Sequence, residues 1–404
     1  MDFSLTADHQ QIQSICRELA TDFATRAAIH DRDASAPVEN YEALRNAGLF
    51  GLTVPKELGG WGSGLLGYAI AAEELAQGCA ATAMSFNMHC VVVQTLTTAA
   101  PLSLAARQRV ANLVIKEKKL IAALRSEPGT TNLLYSTRAC STQARRVSGG
   151  YTVTGKKAFA TMVEAADYAA IFVHPEDVAN PESAVTALVP INAPGMRIEQ
   201  VWDTLGMRAT RSDNVILENC FVPGNMVFDD LLIPSVGDFL ATSESAINLP
   251  YTAVYLGVGF AVLRAVEENV RQRRPKGYAQ PLAYHSDIRR RVAKMSAELE
   301  AARWLLRYAA WVADTEGQTP AAQAAYFKAK YMVGEAVAAA TRSALEMGGA
   351  HAIFKGAPIE RLFRDGATAT IMQPSSDVCL AELSIYQLHL DRVAIQPPLT
   401  RLTS

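Results

Sequence analysis

The sequence predicts an α+β chain with three parts: an N-terminal helical domain over residues 1–118, a central β-barrel-like domain over 119–235 and a C-terminal four-helix bundle over 236–404. Three observations support this order. Helical apolar spacing dominates the first part, β-branched residues alternate with turn signals in the second, and helical spacing returns in the third. The length of 404 residues suits roughly two to four domains of ordinary size.

The first helix of the N-terminal domain is expected to begin at Thr6 or Asp8, since either side chain can accept a hydrogen bond from a free backbone N–H of the first turn. A glycine-rich loop, VPKELGGWG at 54–62, then interrupts the helical pattern. Alanine-rich helices follow and continue to about Lys118.

The central domain is expected to consist of short strands. Residues 147–155, VSGGYTVTG, combine strand-forming residues with a glycine turn and predict a hairpin. Residues 184–189, 196–201 and 214–222 are further strand candidates. Several short strands within one segment predict a small β-barrel or sandwich.

The C-terminal domain contains two long apolar stripes at helical spacing. The first consists of Ile288, Val292, Met295, Leu299, Ala302, Leu306 and Ala309, whose separations alternate between four and three residues. The second runs from Ala321 to Met347 and is rich in alanine. Long antiparallel helices with small apolar faces predict a four-helix bundle.

Composition excludes several classes of function. Charged residues make up 19% of the chain and the formal net charge is −2, so no global field favours nucleic acid or an anionic membrane. The low charge fraction also indicates an oligomer that hides part of its surface. The six cysteines lack a CxxC spacing, so no zinc or iron–sulfur site of that pattern, and no metal, is expected. Without a secretory leader or a long apolar run, the expected location is the cytoplasm.

Several short segments carry a resemblance to a known family: AALRSEPG at 122–129, GKKAFATM at 155–162, LGMRATRSD at 205–213, RQRRPKG at 271–277, and MGGAHAIF at 347–354 followed by RLFRDG at 361–366. With them, the chain resembles the acyl-CoA dehydrogenase family along nearly its whole length. The resemblance implies the acyl-CoA dehydrogenase fold, with FAD between the β-domain and the bundle and its adenine end reaching a neighbouring subunit. A homodimer or homotetramer is therefore expected. Residues 205–213 are interpreted as structural rather than catalytic.

At the flavin ring, the resemblance implies contacts from three side chains. Ser126 would hydrogen-bond the ring, Phe159 would pack beside the isoalloxazine, and Thr161 would hydrogen-bond it near N5, where a donor can stabilise charge on reduced flavin. Ser375 is a further cofactor-binding candidate. Without a flavin, these segments would be a strand-ending turn at Ser126 and a strand with one buried aromatic at Phe159.

The other half of the cofactor is implied to contact Arg273, Gly348 and Gly349. Arg273 stands four residues before Gly277 and would bind the FAD pyrophosphate of the neighbouring subunit, a role that suits a guanidinium. The glycine pair would lie against the adenine half. Arg273 also fits a solvated basic helix end, and the adjacent arginines leave its assignment open by one residue.

The usual catalytic carboxylate of the family is missing. Eight residues after Asp365, where most of the family has a glutamate, this chain has Gln373, and a neutral amide cannot take a proton from a thioester substrate. Some members place the base at the start of the first bundle helix. The corresponding position is near Leu249, with Glu244 more than a turn away and Pro250 where CoA-dependent members often have arginine.

His89 is the second catalytic candidate. It lies in SFNMHC at 85–90, on a helix that lines the substrate cavity in the family, where a histidine can act as a base or support oxygen chemistry of a flavin. The alternative is a core histidine whose nitrogens are both satisfied. Tyr251 and Tyr255 share one face of their helix and are expected to pack the bundle rather than line the cavity.

Three functions remain open. The first is dehydrogenation of an acyl thioester, bound to CoA or to a carrier protein, with a non-standard base and with a flavoprotein or oxygen as electron acceptor. The second is a flavin monooxygenase of the same fold, which needs no α-proton base and can use reduced FMN. The third is a non-catalytic FAD-binding or partner subunit. The dehydrogenase is preferred because Arg273 and the glycine pair suit the adenine half of FAD.

Overall fold

The N-terminal part of the structure, a computed structural model, is helical. Residues 4–99, 101–129, 140–180, 183–233 and 236–391 are described. The first helices are α1 (Ala7–Ala24), α2 (Ala27–Asp33), α3 (Val38–Asn46), α4 (Leu65–Gly78), α5 (Ala80–Thr98) and α6 (Leu104–Ile115). Thr6 caps α1, because its hydroxyl accepts a hydrogen bond from the backbone N–H of His9 at 3.2 Å. The glycine-rich residues 54–62 lie between α3 and α4.

The central part forms an eight-stranded sheet from the described residues. Its strands are β1 (Ile121–Leu124), β2 (Gln143–Val147), β3 (Gly150–Ala160), β4 (Tyr168–Pro175), β5 (Ala184–Pro190), β6 (Met196–Glu199), β7 (Asp213–Pro223) and β8 (Val227–Ile233). The order across the sheet is β6-β7-β3-β2-β4-β5-β8, and β1 pairs with β4 in parallel. The predicted hairpin is confirmed as β2 and β3, with Val147 opposite Gly150. A register shift between Lys157 and Ala160 interrupts the pairing of β3 with β7.

The C-terminal part is a bundle of long helices. They are α7 (Val236–Gln272), α8 (Ser286–Glu316), α9 (Pro320–Gly348), α10 (Pro358–Gly366) and α11 (Ser376–Gln387). Helices α7, α8 and α9 pack on one another, and α11 packs on α9 as the fourth helix. The apolar stripe on α8 is confirmed from Met295 to Ala309, where its members are buried. The predicted order of helices, sheet and helices is therefore confirmed.

Part of α7, Asn248–Gln272, is long and apolar enough to cross a membrane, yet 83% of its apolar window is buried inside the protein. It is a core helix that packs against α4, α8 and α9. Tyr251 and Tyr255 are buried in it, and the hydroxyl of Tyr255 is hydrogen-bonded to Thr368 at 3.0 Å. All six cysteines are buried and unbridged. Within the described ranges, no cluster of His, Cys, Asp and Glu could hold a metal ion.

Arg364 joins the three parts of the chain. From the last turn of α10, its guanidinium donates to both carboxylate oxygens of Asp31 on α2, at 2.9 and 2.5 Å, and to the carbonyl of Leu205 in the central part at 3.0 Å. The adjacent Asp365 is buried and accepts a hydrogen bond from the backbone N–H of Met207 at 2.7 Å. These bonds fix the end of α10 against both the β-domain and the N-terminal helices.

Candidate active site

Phe159 lies near the end of β3, where the register shift between Lys157 and Ala160 interrupts the pairing with β7. We call residues 158–161 the Phe159 turn. The φ of Phe159 is +54°, in the left-handed region that a bulky side chain adopts only at a cost in energy. Its ring is 64% exposed and meets the Trp202 ring edge-on, with the centroids 6.0 Å apart. An exposed aromatic that is held in a strained turn beside a second aromatic offers a stacking surface for a planar ligand.

Ser126 lies beside this turn. Its carbonyl oxygen accepts a hydrogen bond from the backbone N–H of Ala158 at 2.9 Å, and the residue is exposed. The structure thus brings together the Ser126 and Phe159 segments, which are far apart in the sequence. Both residues are exposed, so a ligand that stacks on Phe159 can also reach the Ser126 segment.

A buried ion pair holds these two segments in place. Lys157 is fully buried, and its Nζ lies 2.6 Å from Oε1 of Glu127. Glu127 also accepts hydrogen bonds from the backbone N–H and the hydroxyl of both Ser141 and Thr142. Burial alone would raise the pKa of Glu127, but Lys157 and these donors outweigh it and lower the pKa to about 2. The carboxylate therefore stays charged at neutral pH and fixes the residues beside it.

Thr161 belongs to a chain of three hydroxyl groups. Its Oγ1 lies 2.8 Å from Oγ of Ser212, which lies 2.9 Å from Oγ1 of Thr210. Thr210 donates to the carbonyl of Met207 at 2.9 Å. All three hydroxyl residues are buried. The backbone N–H of Thr161 donates to the carbonyl of Phe159 at 2.9 Å, so the chain ends directly beside the exposed ring.

Trp202 is held by the same segment. Its indole N–H donates to the carbonyl of Met207 at 3.2 Å. The buried carboxylate of Asp213 accepts the backbone N–H groups of Val201 and Trp202, at 2.7 and 2.9 Å. Asp213 is itself paired with Arg211 at 2.8 Å. Residues 201–213 thus support both the aromatic pair and the hydroxyl chain, in agreement with the structural role expected for 205–213.

A separate cavity of about 310 Å³ lies where α7, α9 and α10 meet. It is lined by Asn269, Arg273, Gly348, His351, Ala352, Ala357, Pro358 and Ile359. Nη1 of Arg273 donates to the carbonyl of Gly348 at 2.7 Å, and no carboxylate among the described residues pairs with this guanidinium. A guanidinium at a cavity wall without a counter-ion is suited to bind a phosphate group.

Gly348 and Gly349 end α9 at this cavity, beside Arg273 as the resemblance implies. Gly349 has φ +62° and ψ −162°, a backbone conformation that glycine adopts and other residues avoid. A Cβ on Gly348 would come within 2.6 Å of the Cβ of Ala352. Packing and backbone conformation therefore already require both glycines, and a contact with a cofactor would be an additional role.

Gln373 lies half-buried in the loop between α10 and α11. Its side-chain amide forms no hydrogen bond with other residues in the described part of the chain.

Ser375 caps α11, since its hydroxyl accepts the backbone N–H of Val378 at 3.3 Å. Beneath the loop, buried Lys330 donates to the carbonyl of Ala369 at 2.8 Å, and burial lowers the pKa of Lys330 to about 8.

His89 is fully buried between the rings of Phe50 and Phe86. Its Nδ1 accepts the backbone N–H of Ile121 at 3.0 Å, so Nε2 carries the proton and donates it to the carbonyl of Phe50, also at 3.0 Å. Burial lowers the pKa of His89 to about 4. Both nitrogens are occupied, so in this arrangement His89 cannot take a proton from a substrate. This arrangement favours the core alternative for His89 over a role as a base.

Three family models match the chain in succession. They describe the acyl-CoA dehydrogenase N-terminal domain over residues 6–103, the middle domain over 122–220 and the C-terminal domain over 249–384. The chain belongs to the acyl-CoA dehydrogenase family. This finding confirms both the resemblance and the predicted fold. The family and its structural neighbours are flavin-dependent oxidoreductases, which supports an enzyme of that general class.

Relatives and solved structures of the acyl-CoA dehydrogenase family cover nearly the whole chain. The probable acyl-CoA dehydrogenase YngJ of Bacillus subtilis (strain 168) is 26% identical over 384 residues, which is 94% of this chain and 97% of that protein. The human mitochondrial short-chain specific acyl-CoA dehydrogenase is 27% identical over 387 residues, 93% of this chain and 88% of its own. KijD3, solved with FMN and dTDP-3-amino-2,3,6-trideoxy-4-keto-3-methyl-D-glucose, shares the fold with a TM-score of 0.83 at 22% identity, covering 96% of both chains.

Sequence reasoning missed the residues that support the site. Glu127 and Lys157 both lie in segments that carry the family resemblance, and opposite charges in two strand-rich segments were an available signal for a buried pair. Ser212 also lies in such a segment, but nothing in the sequence connects it to Thr161. The contact of Trp202 with Phe159 depends on the pairing of β6 and β7 with β3, which the sequence does not specify.

Proposed function

We propose that the protein is an FAD-dependent oxidoreductase that dehydrogenates an acyl thioester, bound to CoA or to a carrier protein, with a base other than Gln373 or His89. The observation that carries the cofactor assignment is the guanidinium of Arg273 at the cavity wall, which has no carboxylate partner among the described residues. It suits the pyrophosphate of FAD, which FMN lacks. The cavity of about 310 Å³ is large enough for part of such a ligand, and Gly349 allows close approach.

The Phe159 turn fits the ring end of a second molecule of this cofactor. Phe159 and Trp202 offer an aromatic surface, and Ser126 and Thr161 offer oxygen atoms at its edge. A bound flavin supplies the two-electron chemistry that protein side chains cannot perform. The work of the chain is then to hold the ring, to orient the substrate against it and to keep water away. The buried Glu127–Lys157 pair supports the first of these tasks by fixing the turn.

The Arg273 cavity and the Phe159 turn would contact different cofactor molecules, because Arg273 would reach the FAD of a neighbouring subunit. This arrangement requires at least a homodimer, for which closed two-fold symmetry is the usual form. Ile353 and Phe354, next to the cavity, are 68% and 64% exposed, and a neighbouring subunit would cover them. Light scattering on the flavin-bound protein tests this, and a monomer at micromolar concentration would contradict it.

The substrate class is proposed from the relatives, since YngJ and the human enzyme are both named acyl-CoA dehydrogenases. Dehydrogenation of a thioester requires a base to take the proton from the α-carbon and an acceptor to take the hydride from the β-carbon, and a bound flavin would be that acceptor. Gln373 can hydrogen-bond a thioester carbonyl but cannot take the proton, and His89 has no free nitrogen. A base from elsewhere in the chain is therefore part of the proposal.

A flavin monooxygenase is the second candidate, and the neutral Gln373 together with the occupied His89 favours it. Oxygenation by a reduced flavin needs no α-proton base, so neither the neutral Gln373 nor the occupied nitrogens of His89 would impair the reaction. KijD3, which shares the fold, is bound to FMN, the alternative cofactor. A non-catalytic flavin-binding or partner subunit is the third candidate.

Two measurements separate these functions. The protein is purified, and the flavin released on denaturation is identified by chromatography; FAD supports the proposal, whereas FMN or no flavin contradicts it. The holoenzyme is then mixed without oxygen with butyryl-CoA and longer acyl-CoAs. Loss of the oxidised-flavin absorbance supports the dehydrogenase. Turnover only with reduced flavin and oxygen would favour the monooxygenase, and a flavoprotein inactive in both assays would favour the non-catalytic subunit.

A further inference from the structure

We propose that Lys330 and Tyr255 are positioning residues that hold the loop carrying Gln373, so that the Gln373 amide meets the substrate in one orientation. The proposal rests on the proposed function, in which Gln373 hydrogen-bonds the substrate carbonyl. The loop consists of residues 367–375 and connects α10 with α11. Tyr255 on α7 and Lys330 on α9 lie in the bundle beneath it. Neither needs to touch the substrate, since both act through the loop.

Two adjacent residues at the start of the loop are held by side chains from two different helices. Nζ of Lys330 donates to the carbonyl of Ala369 at 2.8 Å, and both residues are fully buried. The hydroxyl of Tyr255, which is buried too, lies 3.0 Å from Oγ1 of Thr368. The start of the loop therefore cannot move away from α7 or α9 without breaking a hydrogen bond to a buried side chain.

The other end of the loop rests on the next turn of α9. Oε1 of Glu335 accepts the hydroxyl proton of Ser376 at 2.8 Å, and the backbone N–H of Ser376 donates to the carbonyl of Thr370 at 2.9 Å. Gly334 lies directly under the loop, since a Cβ there would be 3.5 Å from the carbonyl oxygen of Ala369. Successive turns of α9 thus contact both ends of the loop.

Lys330 is unfavourable at this position if its only role is to stabilise the fold. Its ammonium is buried, and no carboxylate in the described part of the chain forms an ion pair with it. Burial lowers the pKa of Lys330 to about 8, although nearby Cys379 and Glu335 act in the opposite direction. A methionine of similar volume would fill the same space without burying a charge. A requirement for a donor to Ala369 accounts for a lysine here.

The backbone of the loop is therefore fixed, whereas the Gln373 side chain is not engaged. Gln373 follows Ala369 by four residues and is half-buried. Its amide forms no hydrogen bond with other residues in the described ranges. Such an amide can bind a ligand without first breaking an internal hydrogen bond, and a fixed backbone reduces the entropy that is lost on binding. Lys330 and Tyr255 thus pre-organise Gln373 for its substrate.

Lys330→Met tests the proposal, because methionine keeps the volume but cannot donate to Ala369. On flavin-loaded protein, hydrogen–deuterium exchange of residues 367–378 should become about 10- to 100-fold faster, the range for a hydrogen bond to a charged group. Exchange elsewhere in the bundle should be unchanged and the urea midpoint no lower than wild type, since a buried charge is removed. Tyr255→Phe removes only a hydroxyl and should accelerate the same segment by about 3- to 10-fold. Lys328→Met, on the exposed side of α9, is the control and should change neither measurement.

Turnover tests the link to Gln373. The kcat/KM with butyryl-CoA should fall in Lys330→Met, but Lys330→Met should cause no further fall in a Gln373→Ala background, because both residues act through one amide. Unchanged exchange of residues 367–378 in Lys330→Met and Tyr255→Phe overturns the proposal. A lower urea midpoint with faster exchange throughout the bundle, or a further fall in the Gln373→Ala background, also overturns it. Wild-type protein without flavin or without acyl-CoA turnover would instead defeat the proposed function on which this inference rests, whatever the exchange shows.

Discussion

Replacing Glu127 by Gln should destabilise the protein strongly, because it leaves a buried ammonium without its counter-charge. Lys157 is fully buried, with its Nζ 2.6 Å from Oε1 of Glu127. An amide keeps nearly the shape of the carboxylate but removes the charge that offsets the desolvation of Lys157. Breaking a buried pair from one side costs about 3–5 kcal/mol. The loss should also loosen the Phe159 turn, which follows Lys157 on β3.

The lowered pKa of Glu127 gives a second value for the contribution of the pair to the free energy of unfolding. It is lowered from 4.5 to about 2, which corresponds to at most about 3 kcal/mol of stability. Because the folded-state pKa lies below the unfolded one, this contribution is complete above the unfolded pKa of 4.5 and is lost as the pH falls toward 2. In Glu127→Gln, this decrease of the free energy of unfolding at low pH should be absent.

The neighbouring pair provides a matched control. Lys156 on the same strand has its Nζ 2.6 Å from Oε2 of Glu199, but these side chains are 41% and 35% exposed. Water screens such a pair, so Glu199→Gln should cost far less than Glu127→Gln. Equilibrium urea unfolding, followed by circular dichroism, compares the two variants with the wild type. Equal losses in both would refute the argument that burial makes the Glu127–Lys157 pair strong.

Further outcomes are expected at three residues that the sequence suggests for cofactor binding or catalysis. Since the pKa of His89 is lowered from 6.5 to about 4, wild-type stability should rise with pH across this window; His89→Gln should lose that slope but keep its turnover per bound flavin. Arg273→Ala should weaken flavin retention by about 1.5–3 kcal/mol on ultrafiltration, whereas exposed Arg271→Ala should not; equal retention would show that the wrong arginine is assigned. If Gln373 is merely a lost base, Gln373→Glu should raise acyl-CoA dehydrogenation by about 10²–10⁴-fold. If another base acts, as we propose, Gln373→Glu should leave the native turnover unchanged or impair it, because a carboxylate adds charge beside the flavin; a large gain in turnover would contradict the proposed base.

Features that depend on one segment could be predicted from the sequence. The apolar stripe of α8 and the hairpin of β2 and β3 each follow from neighbouring residues, and both are confirmed. The sequence allows Thr6 or Asp8 as the N-terminal cap of α1, and in the structure the hydroxyl of Thr6 accepts the backbone N–H of His9. Contacts between distant segments could not be predicted in this way. Nothing near Arg364 in the sequence indicates Asp31 as its partner.

The candidate site likewise contains features that the sequence predicts and features that depend on contacts between distant segments. The family resemblance implies a fold, and that fold places Ser126 near Phe159 and Arg273 near Gly348. In the structure both pairs of segments are joined by hydrogen bonds. His89 could not be assigned, because its role depends on backbone groups of Phe50 and Ile121 that only tertiary structure brings to its two nitrogens. One sequence position can therefore suggest a base and yet belong to the core.

The contacts of Arg364 limit how this protein can be rebuilt from parts of its relatives. A chimaera that takes its bundle from one parent and its first helices from another must keep both this arginine and a carboxylate at position 31. It must also keep the turn whose carbonyl at Leu205 accepts from the same guanidinium. A mismatched parent would leave the guanidinium paired with Glu360 on its own helix but would remove the hydrogen bonds that join α10 to α2 and to the central part. Crossovers between family members should therefore succeed within a helix or loop that makes no contact with this residue, and fail where they separate it from α2.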